Sequence, residues 1–234
     1  MQQKANFKTG LWHGVPIALG YLFVSFGFGI SAVAAGISIL ASVGISLTNL
    51  TSAGQVAGIA VIAAGGSVAE LALTQLVINI RYSLMGIALT QKLSPNYSKL
   101  HRMITSFGIT DEVFGVASSR DFEITPSYMY GLILLPIVGW TMGTLLGAVA
   151  GNILPEKLSA AMGIMIYGMF VAIVVPEMKK TKPVILAVAI AAGVSVLLHY
   201  VFTFISAGFS IVISGVVASA ITALFFPIKE DTEE

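Results

Sequence analysis

The chain has 234 residues, 56% of them hydrophobic and 10% charged, with a net charge of +1 and no cysteine. A soluble domain carries about a quarter charged residues, so this composition, with a mean hydropathy of +0.93, indicates lipid as the solvent and excludes a disordered segment. The lack of cysteine rules out a disulfide scaffold, a cysteine zinc site and a cysteine nucleophile, and the near-zero net charge gives no support to nucleic-acid binding.

A bilayer core takes about 20 apolar residues per helix. From Thr9 to Ala69 the chain holds no Asp, Glu, Lys or Arg, which predicts two helices, over 13–34 and 40–63, joined by a tight turn at Gly36-Ile37-Ser38. A third helix is predicted over 68–91, with Glu70 near one end and Arg81 in its middle. Residues 92–123 carry eight charged side chains and cannot form an ordinary lipid-facing helix. Beyond them, 124–155 and 158–176 each predict one helix and 183–228 two more. The fold class is therefore an all-α polytopic membrane bundle of about seven spans, one integral membrane domain over 1–234. It divides into a first helical half (1–92), a charged insert (93–127) and a second helical half (128–234). Pro136 falls inside a span and predicts a kink near Leu132 or Ile133, with the freed carbonyl wetted or bonded to a neighbour. A signal peptide is discounted for the first span, because the residues after it are equally apolar.

Orientation is read from Lys and Arg in the loops. An outside N-terminus with a non-crossing insert puts eight of them in the cytoplasm against three outside; an inside N-terminus with a crossing insert gives seven against four. The first makes two three-helix groups an inverted pair and the second a parallel pair. A weak self-similarity accompanies this: Gly27 with Ala32-Val33-Ala34 and Ile37 recurs 116 residues later as Gly143 with Ala148-Val149-Ala150 and Ile153.

Several residues inside the spans are out of place in oil. The Gly143/Gly147/Gly151 and Gly54/Gly58 spacings are first of all close-packing faces. On a continuous second helix, Thr48, Ser52 and Gln55 share one face, and Gln55 needs partners on another helix or in a cavity. In the third helix Gln75, Asn79 and Tyr82 share a face while Arg81 lies on another. A mid-membrane arginine costs at least about 2.5–3.5 kcal/mol and must be paired. Asp111 or Glu112 in the insert are its expected partners, Glu70 being too far along the same helix. The stretch 98–119 is amphipathic and either lies in the headgroup plane or dips into the bundle, where its carboxylates could exchange protons. His199 is expected to be satisfied by Ser195 and Ser206.

In chain order these stretches resemble the AzlC family of branched-chain amino-acid permeases, the large subunit of a two-part bacterial exporter. The residues that carry the resemblance are Gly14-Val-Pro-Ile-Ala-Leu-Gly-Tyr21 with Phe26-Gly-Phe-Gly29, Ser52-Ala-Gly-Gln55, Asn79-Ile-Arg-Tyr-Ser-Leu-Met-Gly86, Thr110-Asp-Glu-Val-Phe114 and Gly143-Thr-Leu-Leu-Gly147. The resemblance implies export of small hydrophobic amino acids across a bacterial inner membrane, together with a small AzlD-type membrane partner. Two departures stand out: Leu50-Thr-Ser-Ala-Gly-Gln55 is more polar than usual for the family, and Tyr82 stands where a histidine is frequent.

A zwitterionic aliphatic solute needs donors for its carboxylate, acceptors for its ammonium and an apolar wall. Arg81 or Asn79 are the candidates for the carboxylate, Asp111 or Glu112 for the ammonium or a coupling proton, and Gln55 with Gly54 for the cavity lining. No GxxxxGK[ST] loop is present, so an ion gradient rather than ATP is the expected energy source, and no cofactor is expected. Enzyme motifs such as HExxH and GxSxG are absent, which argues against an enzyme. The remaining rivals are a non-transporting membrane subunit that stabilises or regulates a partner, and a channel, whose conductance would not saturate with substrate.

Overall fold

A computed structural model describes residues 6–151, 153, 155, 157 and 165–227. Among them are ten helices and no strand longer than one isolated bridge, Leu93 with Ile124. The helices are α1 (Phe7–Ala34), α2 (Ile39–Thr48), α3 (Ser52–Ala63), α4 (Val68–Thr90), α5 (Lys99–Ser106), α6 (Asp111–Ser118), α7 (Pro126–Gly151), α8 (Met165–Lys180), α9 (Lys182–Tyr200) and α10 (Ala207–Phe225). Five of them, α1, α4, α7, α9 and α10, are long and apolar enough to cross a membrane. The chain splits into two compact units, Met1–Val56 with Asn79–Ile166 and Ala57–Ile78 with Tyr167–Glu234.

The first unit is built on α1 and α7, which pack along their whole length. A Cβ added to Gly139, Gly143, Gly147 or Gly151 would meet the backbone of Ala18, Leu22, Phe26 or Ile30 respectively. The two ladders advance together, so the helices are parallel, and the spacing of four residues gives a glycine face at every turn. The GxxxG spacing is thus a packing face. α7 runs unbroken through Pro136, and the Leu132 carbonyl, which loses its helical donor there, lies against Gly14 of α1.

Against this pair the predicted second helix is not one helix. It stops at Thr48 and restarts at Ser52, so Thr48, Ser52 and Gln55 do not share the face that a continuous helix would give them. The cause is local. Thr48 bonds back to Gly44 O (2.8 Å), and the Thr51 hydroxyl accepts from Gly54 N (3.2 Å), so short polar side chains compete with the backbone ladder and cap a new helix. Ser46 Oγ reaches Thr144 Oγ1 (2.7 Å) on α7 and also donates to Gln55 Oε1 (3.3 Å), so the start of α3 folds back beside the end of α2. The turn into α2 falls at Gly36, as the sequence predicts, where φ is +85° and a side chain would be strained.

The insert repeats this design from the opposite end of α7. Its α5 starts beside α7's first turn, His101 Nδ1 bonding Tyr130 OH (2.9 Å), and climbs until Gly108 lies against Ile133. After the break, α6 leads back: Lys92 Nζ, just past the end of α4, binds Ser118 O (2.5 Å) and Arg120 O (2.8 Å), carbonyls at and just beyond the end of α6. Ser94 N then bonds Ile124 O (3.0 Å), two residues before α7 begins. The insert therefore enters and leaves at one end of the unit. Each of its helices has 8 residues, about 12 Å at 1.5 Å per residue, too short to cross. Of the two predicted forms it takes the one that dips into the bundle, and does so as two short helices that turn back instead of one. The C-terminal half of α4 runs toward that same end, antiparallel to α1.

In the second unit, α3 and the N-terminal half of α4 are joined through Gly65 (φ +69°) and pack antiparallel, with Gly58 facing Gln75 and Leu71. Here also α9 packs against α10. The predicted pair of spans over 183–228 is present as α9 and α10, and the predicted helix over 158–176 appears as α8 from Met165, its predicted start lying outside the described residues. Ser206 does not serve His199: it caps α10, beyond the end of α9, and donates to Glu70.

Candidate functional site

The two breaks in the first unit come together. Residues 48–51, at the break between α2 and α3, and Ser106, Phe107 and Ile109, at the break between α5 and α6, line one cavity of about 180 Å³ with Asn79 and Tyr82 of α4. Two interrupted helical hairpins approaching from opposite ends thus leave non-helical backbone around a cavity. Irregular backbone at such a position is tolerated where it is buried in protein or wetted by a cavity.

Arg81 does not line this cavity but adjoins it through Tyr82, which does. Its Nη1 is 2.8 Å from each oxygen of Asp111, and Nη2 donates to Tyr82 OH at 3.2 Å. Its guanidinium also sits over the Tyr82 ring, 4.9 Å from the centroid. The side chains of the pair keep 39% and 30% of their exposure, so the two charges neutralise one another while staying within reach of a solute. Asp111 is in place because Thr110 caps α6, its hydroxyl accepting from Val113 N (3.3 Å), which puts Asp111 and Glu112 in the first turn where the helix dipole favours anions. Glu112 accepts from Tyr21 OH, and that same phenol is 2.6 Å from Thr110 Oγ1. Tyr21 stands edge-on to Trp140, so α1 and α7 fix the tip of the insert.

Of the residues singled out in the sequence, Asn79, Arg81, Asp111 and Glu112 gather at or beside the cavity. Gln55 and Gly54 do not line it. Gln55 is 1% exposed, and its Oε1 accepts from Trp140 Nε1 (3.1 Å) and Ser46 while its Nε2 donates to Asn49 O. It is interhelical glue that holds the first break closed, and the buried Gly54 follows from the Thr51 cap. Sequence reasoning missed Leu50, Thr51, Ser106, Phe107 and Ile109 as lining residues. The available signal was a Thr at each restart, Thr51 ahead of Ser-Ala-Gly and Thr110 ahead of Asp-Glu-Val, each able to cap a new helix.

The sequence profile described as "AzlC protein" matches residues 16–154, a stretch that runs from α1 past the end of α7 and contains both hairpins. The chain belongs to the AzlC family. This AzlC-family chain is 28% identical over 233 residues to the inner membrane protein YgaZ of Escherichia coli, covering 94% of the chain and 90% of YgaZ. It is 30% identical over 182 residues to an uncharacterized membrane protein of Archaeoglobus fulgidus, covering 76% and 79% of the two chains, and 23% identical over 149 residues to another of Helicobacter pylori, covering 62% and 64%. No solved structure matches it. With relatives named as membrane proteins and five helices fit to cross a bilayer, the chain is a membrane protein.

Proposed function

We propose that this chain is a secondary transporter that exports branched-chain or similar hydrophobic amino acids across a bacterial inner membrane, driven by an ion gradient and working with a small AzlD-type subunit. The observation that carries the reading is the cavity between two hairpin tips, with the Arg81–Asp111 pair adjoining it through Tyr82. A zwitterion can enter such a pair without creating net charge: its carboxylate takes donors from Arg81, its ammonium takes Asp111, and each protein charge exchanges one opposite partner for another. Leu50, Phe107 and Ile109 supply an apolar wall, and Thr51, Asn79 and Tyr82 supply polar groups for orientation. At about 180 Å³ the space is below the roughly 300–1,000 Å³ of drug-sized sites, which fits a small solute. Hairpins entering from opposite ends suit alternating access, since opening either one wets the cavity from one side only.

The charge pattern supports an orientation. The end that carries the start of α1 and the insert bears Lys8, Lys92, Lys99, Arg102 and Arg120, whereas residues 35–67 hold no Lys or Arg. By the positive-inside rule that end faces the cytoplasm, an inside N-terminus with a non-crossing insert. A cysteine introduced at Gln2 is expected to react with an impermeant thiol reagent only after the membrane is opened, and labelling of intact cells reverses the assignment.

The deciding experiment is counterflow of labelled leucine, valine and methionine in liposomes, with and without the small subunit and under an imposed pH gradient. Saturable, gradient-stimulated flux is expected. No flux from folded protein in either preparation overturns the transporter reading in favour of a different solute or a non-transporting subunit.

A further inference from the structure

The second unit contains a carboxylate that the proposed solute site does not use. Glu70, in the first turn of α4, is 5% exposed, and no Lys, Arg or His pairs with it among the described residues. Its Oε1 accepts instead from Ser206 Oγ, the cap of α10, and from Gly208 N at 3.1 Å, two donors at the positive end of a helix. One turn along α4, the Thr74 hydroxyl is wholly buried and has no hydrogen-bond partner among the described residues. It faces the same spot: a Cβ at Gly208 would lie 2.6 Å from Glu70 Oε1 and 2.8 Å from Thr74 Oγ1. A buried hydroxyl left unsatisfied costs about 1–3 kcal/mol, so the arrangement lacks one partner.

We propose that Glu70 is a proton-binding site and that the absent partner of Thr74 is the proton on its carboxyl. Ionised, Glu70 accepts from Ser206 and Gly208 and holds the N-terminus of α10 against α4. When it takes a proton from solvent, the new O–H donates to Thr74 Oγ1, and the carboxyl loses the negative charge that favoured α10's positive end. The two states differ by one proton and by which helix the carboxyl serves. Among the described residues around Glu70, those at 57–69, 71–78 and 201–225 on α3, α4 and α10 hold no other titratable side chain. On α9, which packs against α10, His199 and Tyr200 are exposed and stand edge-on to one another. In the transport reading above, on which this role rests, Glu70 is the coupling-proton site, separate from the Arg81–Asp111 pair.

The test is infrared difference spectroscopy of the full chain in lipid while the pH is stepped. A carbonyl band of a protonated carboxylic acid is expected to rise on acidification, to vanish in Glu70→Gln, which keeps both acceptor contacts, and to shift in Thr74→Val. A titrating spectrum unchanged by Glu70→Gln, or a band indifferent to Thr74→Val, overturns the proposal. So does displacement of the band by sodium at constant pH, which would assign the site to a metal cation. In liposomes, stimulation of leucine flux by a pH gradient is expected to be lost in Glu70→Gln. Absence of flux in the unmodified protein sinks the transport reading alone, since the infrared band reports on the proton site without it.

Discussion

The α1–α7 seam and the paired hairpin tips solve opposite problems within one unit. Along the seam, glycines let two backbones meet with no space for even a methyl group: a Cβ at Gly147 would lie 1.9 Å from Phe26 O. At the tips, polar side chains stop helices early, so that the backbone polarity of two breaks faces a cavity instead of lipid. A region that cannot move holds a region built to be interrupted.

That contrast can be broken most severely at the seam. Gly147→Ala is expected to abolish recovery of folded protein, because overpacking costs about 1–3 kcal/mol even where neighbours can shift and here the neighbour is backbone. Gly20→Ala, with open space around it, is the control, and thermal unfolding in detergent reads both. Equal stability of the two would mean that the seam opens freely. At the tips the expected loss is of flux. Arg81→Ala should lower leucine counterflow on the order of 10-fold to 100-fold, the value of a hydrogen bond to a charged group. Arg81→Lys, which leaves Asp111 paired, should also lose flux while its stability changes by no more than about 1 kcal/mol. A variant that fails only by unfolding would move Arg81 from the site to the scaffold. The smallest effect on transport is expected from Gln55→Leu, which leaves Trp140 Nε1 without its acceptor. It should destabilise by about 1–3 kcal/mol while the folded fraction keeps its apparent KM for leucine. A changed KM would return Gln55 to the cavity.

Much of this was readable from the residues, and the failures share one cause. Hydropathy located α1, α4, α7, α9 and α10, since burial in lipid leaves long charge-free runs. The cost of an unpaired arginine sent Arg81 to Asp111 across 30 residues, and the structure makes that pair. What hydropathy could not see is an interruption. Residues 40–63 are apolar enough to pass for one span, and Thr48, Ser52 and Gln55 fit a helical period, but Thr and Ser can cap a helix as readily as they sit on its face. Whether a polar residue lines a cavity or ties two helices depends on what stands opposite. For Gln55 that was Trp140, 85 positions away. Glu70 was set aside because it cannot reach Arg81, yet its partners lie 136 and 138 residues further on, at the start of another helix.

The parallel seam also sets a timetable for synthesis. Ala18 meets Gly139 and Ile30 meets Gly151, a constant interval of 121 positions. At 5–20 residues per second, α1 reaches the membrane roughly 6–24 s before its partner has been made. During that wait the face of α1 that α7 will cover lacks its partner, so an insertion factor able to shelter such a face would have a long task on α1.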